Sequence, residues 1–305
     1  MKHLFLINPT AGKGDSIDQL VEQIKAAFSS EEEYEILRTE YAGHATKVIA
    51  ERALTGEPMR IYACGGDGTL NEVVNGAAGY DHLAITHIPL GTGNDFLRMF
   101  GKDVDRFRSV AELKDGPQSA FDVMECNGQL GLDVICAGVD ARVGADVHKY
   151  SGMFPGKMAY IVSMLVNVFL KDFALPLKVE INDEVWDRDT TILCVCNGRF
   201  YGGGFMPVGD AMPDDGILDV LLIPKISLIS FVRLVGKYAK GHYKELAPLI
   251  RHFRTTRLKA TSADPTTAVI DGEVIRDTVL DIRMSEKKVW FFYPEGAAYT
   301  VQNPR

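Results

Sequence analysis

Several signatures of well-known enzyme classes are missing from this chain of 305 residues. The pattern G-x-x-x-x-G-K-[ST] does not occur, which excludes a P-loop as the phosphate-binding element. There is no H-E-x-x-H pair for zinc and no G-x-S-x-G turn for a serine nucleophile. The five cysteines form no C-x-x-C pair, so we expect core-packing thiols in a reducing compartment. Any nucleotide chemistry must therefore use a different phosphate cradle.

Long apolar runs and an excess of positive charge are missing as well. The longest apolar helix candidate, Met158–Leu170, is too short to span a bilayer. The N-terminus leads directly into a strand pattern without a secretion signal, so we expect a cytoplasmic protein with only peripheral membrane contact. A net charge of −8 argues against general nucleic-acid binding. Residues 225–259 nevertheless hold nine Lys/Arg and one acid, which predicts either an anionic partner such as a lipid surface or a solvated helix face.

Strand and helix patterns alternate in the first third of the chain. Ser16 is a candidate N-cap for a helix with apolar positions Ile17, Leu20 and Ile24. This rhythm predicts a doubly wound, mostly parallel α/β sheet whose loops after the first, third and fourth strands lie together. The predicted strands are Leu4–Asn8, Tyr34–Thr39, Met59–Cys64 and Leu83–Ile88, with helices at His44–Leu54 and Leu70–Ala78.

The remainder of the chain reads as short strands joined by turns, which predicts an antiparallel β-rich sandwich or barrel. We place the domains at residues 1–123 and 124–288, with a tail at 289–305 whose strand Val289–Tyr293 returns to either domain. Helices are predicted at Lys157–Leu170 and Leu228–Tyr238. The predicted strands are Ala120–Cys126, Leu130–Ala137, Leu177–Ile181, Thr190–Asn197, Leu218–Ile223, Arg257–Ala260, Thr267–Ile270 and Thr278–Met284.

Three glycine loops follow strands of the predicted parallel sheet: Asn8–Gly14, Gly65–Asn71 and Pro89–Phe96. Glycines let backbone N–H groups approach an anion, and a helix N-terminus adds partial positive charge. Asp67 would repel phosphate unless a cation lies between them. Asn94 or Asp95 can also simply cap a following helix. Two glycine–acid loops at equivalent positions favour a joint phosphate-binding role.

Two acidic segments lie in the β-rich part of the chain. Met212–Asp219 contains Asp-Asp-Gly, which forms either a turn or a hard-cation site of carboxylate and carbonyl oxygens. Val269–Glu273 places two acids around a glycine after an apolar strand. Asp-Gly commonly closes a hairpin, and one of the acids can also accept a proton from a hydroxyl nucleophile.

In combination, six ordered motifs resemble the diacylglycerol kinase family of bacterial lipid kinases. The catalytic module of this family is shared with sphingosine and ceramide kinases, and its Gly-Gly-Asp-Gly signature with NAD kinases. The resemblance implies an ATP-binding N-terminal domain, a β-rich C-terminal domain and a nucleotide site in the cleft between them. The motifs are Asn8-Pro9-x-Ala11-Gly12, Thr39-x-x-x-Gly43-His44-Ala45, Gly65–Asn71 with Glu72, Pro89-x-Gly91-Thr92-x-Asn94-Asp95, Asp215-Gly216-x-Leu218-Asp219 and Asp271-Gly272-Glu273.

The resemblance also implies a role for individual residues. Asp67, Asp95 and Asp122 would organise magnesium near the transferred phosphate, and either Asp271 or Glu273 would be the catalytic base. A second, structural magnesium would bind the Met212 carbonyl, Asp215 and the Ile217 carbonyl. The residues that would line the nucleotide are Asn8, Pro9, Thr10, Ala11, Gly12, Thr39, Gly65, Gly66, Asp67, Gly68, Thr69, Leu70, Asn71, Thr92 and Asp95.

The expected reaction is ATP- and Mg²⁺-dependent phosphorylation of a lipid hydroxyl, with diacylglycerol converted to phosphatidic acid. The alternatives are a sphingoid base, a soluble substrate as in NAD kinases, or a non-catalytic nucleotide- or lipid-binding module. The expected partner is a lipid at a membrane surface, not nucleic acid, and a homodimer is left open. The basic stretch Lys237–Lys259 is the candidate docking surface, with Arg142, His148, Lys149 and Lys157 as a weaker second one.

Overall fold

The computed structural model describes residues 1–12, 15–30, 33–151, 163 and 174–299. The helix predicted at Lys157–Leu170 therefore lies outside the described residues except for Ser163, and so does Lys13. The chain divides into two compact units. The first contains Met1–Val123 and Glu286–Thr300, and the second contains Met124–Ser285.

The first unit is the α/β fold predicted from the alternating strand and helix patterns. Its strands pair in parallel in the order β2-β1-β3-β4, and the end of the last strand of the chain adds to β4 in parallel through Trp290 and Phe291. A 3-10 segment, Phe96–Arg108, follows β4. The other elements are β1 (Lys2–Ile7), α1 (Ser16–Ala27), β2 (Tyr34–Arg38), α2 (His44–Ala53), β3 (Met59–Gly65), α3 (Asp67–Ala77), β4 (Leu83–Pro89) and α4 (Val110–Leu113).

The core of this unit follows from the apolar pattern. The last four residues of β1 are fully buried, as expected for a parallel strand covered on both faces. Helix α1 buries Leu20 and Ile24, which lie one turn apart on the same face. The prediction that Ser16 caps this helix is wrong: Asp15 is the N-cap and makes no side-chain cap hydrogen bond. Ser16 is already helical, so its hydroxyl is not directed back to the free N–H groups of the first turn.

The second unit is an antiparallel β structure, as predicted. Its strand order is β11-β10-β9-β7-β12-β13, and β8 pairs with both β9 and β12. A second 3-10 segment covers Tyr243–Leu246. The elements are β5 (Gln118–Cys126, entering from the first unit), β6 (Gln129–Gly131), β7 (Val134–Gly138), α5 (Val139–Ser151), β8 (Leu175–Ile181), β9 (Glu184–Cys196), β10 (Leu218–Pro224), α6 (Leu228–Tyr238), β11 (Arg251–Thr255), β12 (Arg257–Ile270) and β13 (Glu273–Phe292).

Alternation of buried and exposed positions fixes the register of these strands. In β8 the buried residues Leu177, Val179 and Ile181 share one face and pack in a core that also contains Trp186. Strands β12 and β13 are joined by the two-residue turn Asp271-Gly272, and both residues have positive φ. Such a turn matches the twist of a hairpin, so the simple hairpin interpretation of Asp-Gly is structurally correct.

Several predicted boundaries in the second half are wrong. The strands predicted at Arg257–Ala260 and Thr267–Ile270 are parts of β12, whose pairing shifts between Thr261 and Thr266. The strand predicted at Thr278–Met284 and all but the last residue of the one predicted at Val289–Tyr293 belong to the single strand β13, which ends at Phe292. The strand predicted at Leu130–Ala137 divides into β6 and β7. Strand β11 and helix α5 were not predicted.

Among the described residues, no helix is both long enough and apolar enough to cross a bilayer.

Candidate functional site

Three loops of the first unit meet at the carboxyl ends of β1, β3 and β4, as the strand pattern predicted. The backbone N–H of Asn8 donates to the carbonyl of Cys64 at 3.0 Å, and its side-chain amide lies 3.3 Å from the Thr69 hydroxyl. The N–H of Leu90 donates to the Gly65 carbonyl at 2.8 Å. Ligands bind at this edge of doubly wound sheets, so the three loops form the candidate phosphate site.

Asp67 links two of these loops directly. Helix α3 begins at Asp67, three residues before the predicted start at Leu70, so the carboxylate belongs to the first helical turn. Asp67 Oδ2 accepts the backbone N–H of Asn94 at 2.9 Å, and Oδ1 accepts that of Asp95 at 2.6 Å. Each carboxylate oxygen keeps a further acceptor position after one such bond. Asp67 therefore fixes the loop and can still face a cation or its water.

The glycines of these loops are required by close backbone packing. A Cβ atom at Gly91 would lie 2.6 Å from the Cα of Gly66, which no backbone tolerates without moving. A Cβ at Gly93 would collide with Asp67 Oδ2, and one at Gly65 would lie 2.6 Å from the Thr69 Cβ. The loops therefore approach more closely than any side chain at these glycines would allow.

Asn94 is a residue of this site that the predicted set of ligand-binding residues omitted. Its φ of 50° lies in the left-handed region, and its side-chain N–H donates to the Gly91 carbonyl at 2.7 Å. The buried Oδ1 atom has no hydrogen-bond partner among the described residues. A buried acceptor normally has a partner, so this atom fits a ligand, a metal ion or a water. The Asn94-Asp95 pair, which follows two glycines in this loop, was the sequence feature that could have identified Asn94 as a residue of the site.

A second layer of contacts holds the start of α2 against α3. The Glu72 carboxylate accepts the backbone N–H of Gly43 at 2.8 Å and that of Ala45 at 3.0 Å, satisfying free donors at the N-terminus of α2. Thr39 is fixed by its N–H, which donates to the Ile7 carbonyl at 2.9 Å. The motifs around Thr39–Ala45 and Glu72 therefore meet in space.

The predicted magnesium-binding aspartates of the first unit all have partners. Asp95 Oδ1 lies 3.0 Å from Arg98 Nε, and Asp122 Oδ1 lies 2.8 Å from Lys288 Nζ. No group of three or more His, Cys, Asp and Glu side chains in the described part of the chain is placed to hold a metal ion. Asp67, Asp95 and the Asn94 amide oxygen nevertheless lie on one pair of loops and are the hard oxygen donors that magnesium prefers. These donors fit a magnesium ion that also binds phosphate.

Other predicted nucleotide-lining residues lie in or around the same loops. Thr10 donates its N–H and its hydroxyl to Asn8 Oδ1, which closes the first loop. The side chains of Leu70 and Asn71 are buried, so their contribution to a ligand would come from the backbone. Exposed positions are Pro9, Thr10, Gly12 and Thr92, while Ala11, Gly66 and Gly68 are half-buried and Thr69 is buried.

In the second unit, the Asp271 carboxylate is enclosed by backbone donors. It accepts the N–H of Leu132 at 2.5 Å, that of Asp133 at 3.1 Å and that of Val134 at 2.9 Å. These three donors explain why the strand predicted at Leu130–Ala137 is interrupted before β7. With three N–H donors on its two oxygens, the Asp271 carboxylate is held in place as part of the turn.

Glu273 differs from Asp271 in its hydrogen-bond partners and in its exposure. It is the first residue of β13 and pairs with Ile270 through the backbone, while its exposed side chain makes no hydrogen bond or ion pair among the described residues. Sequence alone could not choose between the two acids, because the donors to Asp271 lie about 138 residues away in the chain. Its exposed carboxylate makes Glu273 the candidate for the predicted base.

The predicted structural magnesium site in the Met212–Ile217 segment already contains a cation. Asp215 Oδ1 accepts the N–H of Ile217 at 3.0 Å, while Oδ2 pairs with Arg254 at 2.6 Å. The nearby Asp219 carboxylate lies 2.6 Å from His252 Nε2. A magnesium ion at Asp215 would share its carboxylate with a guanidinium. The second magnesium at this segment stays a prediction.

The basic stretch Lys237–Lys259 is largely neutralised within the second unit. Lys237 lies 2.9 Å from Glu245, Lys244 lies 3.0 Å from Asp210, and Arg251 lies 2.7 Å from Glu184. Exposed ion pairs of this kind reduce the charge that a surface offers to a partner. The stretch is thus less positive than its sequence suggests.

Two family models match successive parts of the chain. Residues 2–126 match the model of the diacylglycerol kinase catalytic domain, and residues 133–288 match that of the YegS C-terminal NAD kinase beta sandwich-like domain. The Staphylococcus aureus protein named "Putative lipid kinase SAR0780" is 29% identical over 226 residues, which cover 73% of each chain.

Solved structures share the fold over nearly the full length. The chain matches a Bacillus anthracis structure described as "a putative diacylglycerol kinase" with a TM-score of 0.75 and 22% identity, covering 97% of both chains. A second structure with that description, from the same organism, gives a TM-score of 0.73 at 24% identity, covering 96% of this chain and 97% of the other. At these identities the likeness shows the fold alone.

Proposed function

The chain belongs to the diacylglycerol kinase family, in its form with a YegS-type C-terminal domain, and we propose that it transfers the γ-phosphate of ATP to a diacylglycerol hydroxyl. The observation that carries this proposal is the meeting of three loops, two of them joined by Asp67 and the third by Asn8, with the unpartnered Asn94 amide oxygen among them. Phosphoryl transfer needs positioned donors and a cation more than covalent help from the protein.

The nucleotide phosphates lie on the loops after β1, β3 and β4 in this proposal. Backbone N–H groups at Gly66–Gly68 and the start of α3 face the anion, because a helix N-terminus carries partial positive charge. Asp67, Asp95 and Asn94 Oδ1 would hold magnesium, and the family resemblance adds Asp122 to this group. When bound, magnesium neutralises the charge on the phosphate oxygens.

The acceptor hydroxyl is activated by Glu273 in the second unit. As the lipid oxygen forms its bond to the γ-phosphorus, the bond to the β–γ bridging oxygen breaks and ADP leaves. The hydroxyl proton passes to the Glu273 carboxylate, which then releases it to water. Asp271 is a positioning residue, since its three backbone contacts fix the turn from which Glu273 extends.

A lipid substrate requires contact with a membrane surface, and peripheral binding is part of the proposal. All five cysteines are free and buried, which supports a reducing compartment such as the cytoplasm. The negative net charge supports a partner other than nucleic acid.

The test is a product assay with labelled ATP, Mg²⁺ and mixed micelles, in which diacylglycerol, sphingoid bases and NAD are offered separately. We expect a phosphorylated product with the mass of phosphatidic acid, formed about 10²–10⁴-fold more slowly by the Glu273→Gln variant. Phosphorylation of a sphingoid base or of NAD alone would replace the substrate assignment. Binding of ATP without any product would replace the kinase with a nucleotide-binding module.

A further inference from the structure

Helix α6 of the second unit has one face that contacts solvent. On its inner side Phe231 and Tyr238 pack into a hydrophobic core cluster. On its outer side the Ile229 and Val232 side chains are 65% and 57% exposed, although they lie one turn apart on the same face. We name this outer side, together with the cations that extend it, the α6 face.

The α6 face is also positively charged. Arg233 follows the two apolar residues within the helix, and Lys240 is an exposed residue of the turn that follows the helix end at Tyr238. Neither cation forms an ion pair among the described residues, whereas Lys237 between them pairs with Glu245. No acid occurs from Val220 to Lys244, in a chain with a net charge of −8. The face therefore combines exposed aliphatic groups with unneutralised positive charge.

We propose that the α6 face docks the protein on an anionic lipid surface. Ile229 and Val232 enter the boundary between headgroups and acyl chains, and Arg233 and Lys240 bind lipid phosphates beside them. The proposal deepens the proposed function, because it names the surface by which a lipid kinase reaches its substrate. It also replaces Lys244, Arg251 and Arg254 as docking cations, since each already pairs with an acid.

The small apolar area of the α6 face favours lipid over a protein partner. Two aliphatic side chains on a helix surface offer much less than the roughly 800 Å² that each partner buries in a standard protein interface. Membrane association needs only a few apolar side chains when cations add attraction to anionic headgroups.

The test is co-sedimentation of the full chain with vesicles of phosphatidylglycerol and, separately, of phosphatidylcholine. We expect binding to phosphatidylglycerol vesicles that weakens with salt, and little binding to phosphatidylcholine. Neutralising Arg233 and Lys240 to Gln together is expected to weaken binding by about 25-fold, at roughly fivefold per cation. Replacing Ile229 and Val232 by Ser is expected to weaken binding by about tenfold through lost apolar burial.

Matched controls come from the same unit. Val185 is 61% exposed on β9, and Arg276 is exposed on β13 without an ion pair among the described residues. Val185→Ser and Arg276→Gln are expected to bind vesicles like the parent protein. Equal loss in the controls, or parental binding by both α6 variants, would overturn the proposal. A change of oligomeric state in the α6 variants on size-exclusion chromatography would assign the face to a second copy and would also overturn it.

Activity on a water-dispersed short-chain diacylglycerol separates docking from catalysis. We expect the α6 variants to phosphorylate this substrate at the parental rate while losing activity on vesicles. If the parent binds vesicles through this face but phosphorylates no lipid, the proposed function fails and the docking surface stands. Parental vesicle activity in the α6 variants would overturn the docking surface alone.

Discussion

The Asp67 carboxylate accepts the backbone N–H of Asn94 at 2.9 Å, and this contact ties the start of α3 to the loop after β4. The same carboxylate would face the cation that accompanies a nucleotide. One side chain thus both builds the phosphate site and takes part in it.

Asp67→Asn is expected to reduce turnover by about 10² or more, because the cation loses its carboxylate ligand. The amide has one acceptor oxygen for two N–H donors, so unfolding free energy falls by about 1–3 kcal/mol. Steady-state kinetics and urea denaturation measure the two effects. Asp18→Asn on the exposed face of α1 is the control and should change neither. A fully active Asp67→Asn protein would contradict this assignment.

Gly66 and Gly91 offer a matched pair of substitutions on the two loops. A Cβ at Gly91 would lie 2.6 Å from Gly66 Cα, whereas a Cβ at Gly66 would lie 3.5 Å from Gly91 Cα, an ordinary contact. Gly91→Ala is therefore expected to lower the unfolding free energy by about 1–3 kcal/mol and to weaken nucleotide binding. Gly66→Ala should retain the parental Tm. Equal Tm values for both variants would refute the close loop packing.

Glu273→Gln and Asp271→Asn are expected to fail in different ways. Loss of the base should lower kcat by about 10²–10⁴ without changing Tm. Asp271→Asn keeps a residue that tolerates positive φ but removes one acceptor oxygen from three N–H donors, so Tm should fall. A fast Glu273→Gln enzyme would remove the base assignment.

Buried His87 predicts a pH effect on stability. Its Nε2 atom lies 3.0 Å from the Gly65 carbonyl, and burial lowers the pKa of this imidazole below its usual 6.5. The unfolded chain then takes up a proton below about pH 6.5 that the folded chain resists, so stability falls as the pH drops. Urea denaturation at several pH values should show that the unfolding free energy of His87→Gln falls less steeply with decreasing pH than that of the parent. An unchanged slope would contradict a neutral His87 in the folded protein.

His3, near the start of β1, contributes to the pH dependence in the same direction. Burial and the neighbouring Arg60 lower its pKa to about 4. The part of the unfolding free energy that is lost because of His3 should therefore disappear as the pH falls from about 6.5 to about 4. His3→Gln should flatten the curve of unfolding free energy against pH in that range. A curve identical to that of the parent would refute the lowered pKa of His3.

The sequence was sufficient for the fold class and for the meeting of three loops. Buried parallel strands such as β1 are continuous apolar runs, and glycines at their ends mark close backbone approach. The start of α3 was placed too late because Asp67 and Gly68 are common loop residues. Their helical conformation depends on Asn94 and Asp95, which lie in another loop.

The different roles of Asp271 and Glu273 could not be predicted from the sequence. Both follow the same apolar strand, and the difference comes from the N–H groups of Leu132, Asp133 and Val134. Likewise, the charge of Lys244 and Arg251 is offset by acids from distant segments. Side-chain periodicity describes one strand or helix, and it does not indicate which partner another segment supplies.

In the proposed function the nucleotide binds across the loops after β1, β3 and β4. Hydrogen–deuterium exchange with Mg²⁺ and a non-hydrolysable ATP analogue measures this binding at the loops themselves, because bound phosphates protect the backbone N–H groups that face them. We expect new protection at Asn8–Gly12, Gly65–Asn71 and Gly91–Asp95. Saturating binding of the analogue with unchanged exchange in all three loops would contradict it.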